Sequence, residues 1–299
     1  MAVDSAKSTK PSSGSDRAAG YHGGDIDTVI SVDDVNREAR AIAETVTKEQ
    51  ILGLVEGEPF LQLDELRAGY GKMEILHGID LAVGKGQSLC LIGPNGAGKS
   101  TILHAIFGFC TVFSGRILTA SDGNERDVAS LTSSQKLKEA GIAYILQDKS
   151  VFPGMTVEEN LWMGGYLMDQ PAEAKEAAER VFDKYPRLAE RRKHQAKVLS
   201  GGERRLLEIS RALVMNPDIL LVDEPSIGLE PRFIDMVFEI LDDLQHVEGK
   251  TILMVEQNAK KGLEFADIGY VLVSGELAIA GKGDDLLANP DVGRLFLGG

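Results

Sequence analysis

The sequence predicts an α/β fold in which a parallel sheet is preceded by an antiparallel β subdomain and carries an α-helical insertion. Continuous apolar runs at 218–222 and 251–255 are typical of strands that are buried on both faces of a parallel sheet. Short apolar stretches between glycine turns over 59–83 indicate antiparallel strands. Between 150 and 199, helical periodicity and many Glu, Ala, Lys and Arg residues indicate inserted helices.

The first 58 residues are interpreted as an N-terminal extension. Residues 1–30 are rich in Ser, Gly, Lys and Asp, which predicts disorder because such a segment buries little apolar surface. An apolar stripe at helical spacing then predicts an amphipathic helix over about 33–52. This stripe consists of Val35, Ala39, Ile42 and Val46. The compact domain is expected to cover 59–299.

The later part of the chain alternates helices and strands. Helical spacing predicts helices over 156–168, 172–182, 204–215 and 231–246. The third of these is expected to stop at Asn216-Pro217, because proline does not continue a helix. The first three form the helical subdomain, over about 150–215. A hairpin at 268–280 and a short helix complete the chain.

Bulk composition narrows the class of protein. A hydrophobic content of 43% over 299 residues is ordinary for a globular chain with a core. The net charge of −14 argues against nucleic acid as the main ligand, since that requires a basic surface. Cys90 and Cys110 form no C-x-x-C pair, which fits a reducing compartment. No apolar run approaches about 18 residues and the start does not resemble a signal peptide, so a cytoplasmic protein is expected.

A nine-residue motif, GPNGAGKST, separates the apolar strand 88–92 from a helix-like stretch. It matches the pattern G-x-x-x-x-G-K-[ST], in which glycine turns let successive backbone N–H groups converge on phosphate oxygens. The helix that follows adds the positive end of its dipole. Lys99 is expected to reach the β- and γ-phosphates of ATP, and Ser100 to bind Mg²⁺. The candidate phosphate-binding residues are Gly93, Pro94, Asn95, Gly96, Ala97, Gly98, Lys99, Ser100 and Thr101.

Three further strands end in polar residues. Gln147 follows one strand, Asp223 and Glu224 follow the next, and Glu256 and Gln257 follow the last. Ligands of open α/β sheets bind at the carboxyl ends of strands, so these side chains are expected to gather around one nucleotide. Glu224 directly follows a carboxylate suited to Mg²⁺ and could orient an attacking water.

Together with LSGGE at 199–203 and ILLVDEP at 219–225, these motifs resemble the ATP-binding cassette (ABC) family from about Pro59 onward. The resemblance implies a P-loop NTPase (RecA-like) core with the antiparallel β subdomain and the helical insertion described above. It implies that Tyr70 stacks on adenine and that Asp223 binds Mg²⁺ with Ser100. Gln147 would contact the metal and the attacking water, and Glu224 would be the general base.

The LSGGE motif implies a site shared between two chains. Ser200, Gly201 and Gly202 would contact the γ-phosphate that is bound to a second copy of the domain. Ser200 also precedes a helix and is suited to be its N-cap. Because the chain carries one set of motifs, a homodimer or a heterodimer with a related ATPase is expected.

The C-terminal motifs resemble the ATPase subunits of branched-chain amino-acid importers, on the segments at 225–231, 255–259 and 295–299. Gln257 stands where most cassettes carry histidine; a glutamine can donate a hydrogen bond to the γ-phosphate but cannot carry a proton. Gln147 stands where many close relatives carry glutamate. Urea importers of related design carry glutamine there, so urea or another small amide is the alternative solute.

The resemblance also implies partners. The helical insertion is where family members meet integral membrane permease subunits, which places the protein on the inner face of the membrane and indirectly links it to a solute-binding protein. Phe152 and Trp162 are candidates for that contact, although both are also suited to the core. A soluble ABC ATPase without a transport role and a nucleotide-binding module that does not hydrolyse ATP are the other interpretations.

Overall fold

The computed structural model of the protein describes residues 46–121, 124–147 and 150–297. The segment predicted to be disordered, and the predicted helix up to residue 45, lie outside the described residues. The prediction that this helix continues to residue 52 is wrong, because Val46 and Thr47 are not helical. Thr47 instead caps a separate helix, α1 (Lys48–Gly53), through reciprocal hydrogen bonds with Gln50.

Helix α1 packs on the domain that follows it. Ile51 is 3% exposed and belongs to the same hydrophobic core as the first strands. The Gln87 side chain ties down the next residues, since its oxygen accepts from the N–H of Glu56 (2.9 Å) and its nitrogen donates to Leu54 O (3.3 Å). Helix α1 and the residues after it therefore pack on the domain that was predicted to begin at Pro59.

An antiparallel sheet has the strand order β2-β1-β4-β5. Its strands are β1 (Pro59–Tyr70), β2 (Met73–Gly84), β4 (Thr111–Ser121) and β5 (Asn124–Asp127). Ser114 and Gly115, residue types that favour a turn, lie inside β4. Gly115 has a φ of 88°, and a Cβ there would lie 2.5 Å from Glu65 O, so this glycine lets β4 bend beside β1 without ending.

The second sheet has the strand order β10-β9-β3-β8-β7-β6. Its strands are β3 (Ser88–Ile92), β6 (Ile142–Ile145), β7 (Ile219–Asp223), β8 (Thr251–Val255), β9 (Ile268–Val273) and β10 (Glu276–Lys282). All pairings are parallel except that of β10 with β9. The α/β fold with a central parallel sheet is confirmed.

Hydrophobic cores lie on both faces of the parallel sheet. Leu89 and Leu91 of β3 face a core shared with the antiparallel sheet, whereas Cys90 and Ile92 face a core shared with the inserted helices. This explains why the strands read as uninterrupted apolar runs, since every residue of β3, β7 and β8 is buried.

The helices after α1 are α2 (Lys99–Phe107), α3 (Ser133–Ala140), α4 (Val157–Gly164), α5 (Pro171–Lys184), α6 (Pro186–Glu190), α7 (Gly201–Leu213), α8 (Pro231–His246), α9 (Ala259–Phe265), α10 (Gly283–Ala288) and α11 (Pro290–Phe296). Helix α4 ends at Gly164, before the predicted 168, with Gly165 as its C-cap. Helix α7 begins earlier than predicted, at its cap Ser200. Within the described part of the chain, no helix combines the length and apolar character needed to cross a membrane.

Candidate active site

The phosphate loop joins β3 to α2 at the carboxyl edge of the parallel sheet. Gly93 and Gly98 have φ values of 141° and 101°, which favour glycine. A Cβ on Gly93 would lie 2.2 Å from Leu272 O, and one on Gly98 would lie 2.9 Å from the Leu76 side chain. Gly98 caps α2 without a side chain, so the first N–H groups of α2 are free to bind an anion.

Lys99 lies folded over its own loop. Its ammonium donates to Gly93 O (2.8 Å) and Pro94 O (3.0 Å). Burial lowers the pKa of Lys99, against the opposing effect of the carboxylates of Glu224 and Asp223. The loop therefore holds a buried ammonium whose protons are already directed by backbone carbonyls.

A cavity of about 340 Å³ and one of about 270 Å³ lie at this end of the sheet, and the smaller one adjoins the loop. The smaller cavity is lined by Tyr70, Ile75, Asn95, Gly96, Gly98, Lys99, Ser100, Thr101 and Glu224. The structure thus brings Tyr70, most of the loop and Glu224 to one place. Ala97 is buried, and its carbonyl accepts from Gly275 N–H (2.8 Å), so its contribution is to hold the loop.

Ser100 and Asp223 lie side by side. The Ser100 hydroxyl is 3.0 Å from one carboxylate oxygen of Asp223. The other oxygen accepts a hydrogen bond from the Tyr144 hydroxyl, at 2.8 Å. Burial, together with the Asp223 charge, raises the pKa of Tyr144, so its phenol remains a proton donor. Hydroxyl and carboxylate oxygens are the ligands that Mg²⁺ prefers, so this pair fits the metal.

Glu224 is held at the mouth of the cavity. The Gln147 side chain donates to the Glu224 carboxylate at 2.9 Å. The backbone N–H of Glu224 donates to Val255 O at 2.8 Å. Its φ is 44°, a strained conformation for a residue with a side chain. Burial raises the pKa of Glu224, and the neighbouring carboxylate of Asp223 adds to the effect. A carboxylate made more basic in this way is suited to accept a proton.

At the end of β8, Glu256 does not face the cavity as the sequence predicted. Glu256 is 1% exposed and accepts from the Ser226 hydroxyl (2.7 Å) and from Asn258 N–H (2.9 Å). It fastens the segment after β7 to the segment after β8. Gln257 is exposed and is not among the residues that line the cavity. Its predicted phosphate contact stays a prediction.

Tyr70 forms part of an aromatic cluster. Its hydroxyl lies 2.5 Å from His104 Nδ1, and the His104 ring contacts Phe109 and Tyr144 edge-on or tilted. Tyr70 is 44% exposed on the cavity side. Its hydroxyl is thus held by His104, while the side chain remains partly exposed at the cavity.

The LSGGE motif forms the start of α7. The Ser200 hydroxyl accepts from Glu203 N–H, and the Glu203 carboxylate accepts from Ser200 N–H at 2.9 Å, which completes a capping box. Ser200 and Gly201 are exposed. Gly202 is buried, and a Cβ there would lie 2.2 Å from the Phe233 ring. Gly202 therefore serves the packing of α7 on α8 within this chain.

The larger cavity separates the aromatic cluster from the inserted helices. Phe152, 42% exposed, lines it together with Phe109, Tyr144, Met163 and Tyr166. The Arg211 guanidinium lies 5.4 Å from the Phe152 ring centroid. Trp162 does not line this cavity; it packs against the core, with Lys175 over its ring. The two candidates for partner contact thus separate into one surface residue and one core residue.

Several contacts around the site were not singled out from the sequence. They involve Tyr144, His104 and Arg205, of which Arg205 is buried and donates to Leu146 O at 2.8 Å, just before Gln147. A polar residue inside an apolar strand or on the apolar face of a helix is the signal that marks Tyr144 and Arg205. No comparable signal marks His104, whose partner Tyr70 lies in another element.

Known proteins are similar to this chain in sequence and in fold. A family model described as ABC transporter matches residues 76–227. The high-affinity branched-chain amino acid transport ATP-binding protein BraG of Pseudomonas aeruginosa is 41% identical over 80% of this chain and 100% of its own length. The probable branched-chain amino acid transport ATP-binding protein LivF of Archaeoglobus fulgidus is 38% identical, over 80% and 98%. The ADP conformation of MJ1267, an ATP-binding cassette of an ABC transporter, matches with a TM-score of 0.70 and 28% identity, covering 81% of this chain and 100% of that one. The chain belongs to the ABC transporter family.

Proposed function

We propose that the protein hydrolyses ATP to energise the uptake of branched-chain amino acids through separate membrane subunits. The observation that carries the ATPase part is one cavity lined by Lys99, Ser100 and Glu224. Behind it, Ser100 contacts Asp223 and Glu224 accepts a hydrogen bond from Gln147. The substrate class rests on the likeness to BraG and LivF, whose names describe branched-chain amino acid transport.

Ser100 and Asp223 would hold Mg²⁺, which supplies neutralisation of the phosphate charge when it is bound. Their oxygen atoms lie 3.0 Å apart, close enough to act on a single ion. Lys99 and the N–H groups at the start of α2 add positive charge on the loop side. Phosphoryl transfer depends mainly on such positioning and charge neutralisation, which this set of residues provides.

Glu224 acts as the general base in this proposal. Its carboxylate accepts a proton from the attacking water, while the Gln147 amide keeps the carboxylate oriented through their 2.9 Å contact. The elevated pKa of Glu224 brings its basicity closer to what the step needs. Tyr70, which lines the same cavity and is 44% exposed, stacks on the adenine ring in this proposal.

A second copy of the domain completes the site. The capped N-terminus of α7 presents the exposed Ser200 and Gly201, which are suited to contact a γ-phosphate held by another chain. On the side of α7 that carries Gly202, the Phe233 ring packs against the helix and supports the exposed Ser200 and Gly201. A homodimer and a heterodimer with a related ATPase both satisfy this requirement.

The larger cavity is the proposed contact with integral membrane permease subunits. It presents Phe152, Met163 and Tyr166 at its surface, with the charged Arg211 and Glu208 in its wall. Apolar side chains with a few polar groups suit a docked helix from a partner. This contact would place the protein on the inner face of the membrane and, through the permease, in a complex with a solute-binding protein.

Co-purification of the native complex followed by ATP-driven uptake in vesicles tests the proposal. We expect permease subunits in the complex and uptake of leucine, isoleucine or valine that stops when Glu224 is changed to Gln. Uptake of urea or another small amide in place of these would overturn the substrate class. Robust ATPase activity with no membrane subunit in the complex would overturn the transport role.

A further inference from the structure

The Asp223 carboxylate is held from both sides. One oxygen contacts the Ser100 hydroxyl at 3.0 Å and the other accepts from the Tyr144 hydroxyl at 2.8 Å. Asp223 is 5% exposed, and the carbonyl group of its backbone accepts a long hydrogen bond (3.5 Å) from Arg205. A carboxylate with both oxygens engaged cannot rotate freely about its last side-chain torsion.

The Tyr144 ring is itself fixed. It packs against Phe107 and Phe109 with centroid distances of 5.5 Å in both cases, and against His104 at 5.8 Å. Its backbone lies in β6, next to β7, which carries Asp223, with Tyr144 paired to Leu221. The hydroxyl therefore reaches Asp223 from a rigid strand and a packed ring, and not from a mobile loop.

We propose that Tyr144 is a positioning residue for the ATPase reaction: its hydroxyl orients the Asp223 carboxylate so that the oxygen beside Ser100 is presented to the metal of the bound nucleotide. Outer groups that hydrogen-bond a ligating carboxylate fix its orientation, and their loss typically lowers metal affinity about 10- to 100-fold. This inference rests on the proposed metal role of Asp223.

The variant Tyr144→Phe removes the hydroxyl and keeps the ring in its cluster. The readout is the dissociation constant for ATP measured in EDTA and again in Mg²⁺, both in a Glu224→Gln background so that hydrolysis does not interfere. We expect the dissociation constant for ATP to be unchanged in EDTA. In Mg²⁺ it should rise about tenfold, which is within the range for loss of a group that orients a metal ligand.

Two companion variants make the result decisive. Asp223→Asn should remove most of the benefit of Mg²⁺; if it does not, the metal role of Asp223 fails. Tyr270→Phe removes another buried hydroxyl, one that donates to Ala82 O at 3.2 Å, and should leave both constants unchanged. If Asp223→Asn abolishes the Mg²⁺ effect while Tyr144→Phe leaves it intact, or weakens binding equally in EDTA, the positioning role of Tyr144 is overturned.

Discussion

The Gln147 amide donates a hydrogen bond to the Glu224 carboxylate across 2.9 Å, joining the ends of two neighbouring parallel strands. Gln147 is followed, after residues 148–149, by the chain that leads into the inserted helices. The proposed base is thus oriented by the segment that connects the sheet with the surface proposed to meet the membrane subunits. A movement of that segment would change the orientation of the Glu224 carboxylate.

Replacing Glu224 by Gln should lower the rate of ATP hydrolysis by about 10²- to 10⁴-fold, the range for loss of a general base. Binding of ATP should remain, because the loop contacts do not involve this carboxylate. Steady-state ATPase assays and equilibrium binding of ATP measure the two effects. The exposed Glu264→Gln is a matched control that removes a carboxylate away from the cavity. Turnover near the wild-type rate would refute the base assignment.

Replacing Lys99 by Met should weaken ATP binding, because it removes a cation next to the phosphates while keeping the buried aliphatic stem. A hydrogen bond to a charged group is worth about 1.5–3 kcal/mol, which corresponds to a loss of at least about tenfold in affinity. Titration with a fluorescent ATP analogue measures it. Lys197→Met, an exposed lysine on the turn before LSGGE, serves as the control. Equal affinity for Lys99→Met and wild type would contradict the phosphate role of the loop.

Replacing Gly202 by Ala should destabilise the domain. The new Cβ would lie 2.2 Å from the Phe233 ring, and overpacking of this kind typically costs about 1–3 kcal/mol. Gly201→Ala is the matched variant, since the nearest atom to its Cβ is 3.7 Å away. Urea unfolding of the two variants should show a lower midpoint for Gly202→Ala alone. Similar midpoints would mean that Phe233 moves aside without cost.

The buried Lys136 should make stability depend on pH. Its ammonium donates to Ala105 O near the end of α2, and burial lowers its pKa from 10.5 to about 8, partly offset by Cys110 and Asp127. Between these two values the unfolded chain binds more protons than the folded one, so this group's contribution to the free energy of unfolding rises with pH from about 8 to about 10.5.

Chemical unfolding of wild type and Lys136→Met at pH 7.5 and pH 9.5 separates this effect from other titrations. The difference in unfolding free energy between the two proteins should shift in favour of wild type at the higher pH. A difference that stays constant would show that Lys136 is not the group responsible.

Much of the fold followed from local patterns. The strands β3, β7 and β8 were predicted because complete burial leaves no polar position to interrupt their apolar runs. The helix α8 was predicted at its observed bounds, since Pro231 marks its first turn and its apolar stripe is regular. The interior bend of β4 is not predictable in this way, because a glycine such as Gly115 is typical of a turn until its neighbour β1 is known.

The parts of the candidate site that belong to a single sequence motif were predictable. The contacts between side chains of different elements were less so. The loop was predicted from the spacing of its residues, and Asp223 and Glu224 from their place after an apolar strand. Gly202 of α7 is buried against Phe233 of α8, two elements later in the chain. Next to the exposed Gln257, Glu256 turns inward to Ser226. Such pairings arise from tertiary packing, which a linear pattern does not contain.

The two carbonyl contacts of Lys99 give the phosphate loop an internal brace. A phosphate that recruits this ammonium must compete with Gly93 O and Pro94 O, so the affinity of the loop is the difference between two sets of hydrogen bonds. The brace also means that the ammonium is never buried without an acceptor before the nucleotide arrives. Lys99 thus stabilises the loop in its own right, and ligand binding at this lysine is an exchange of acceptors.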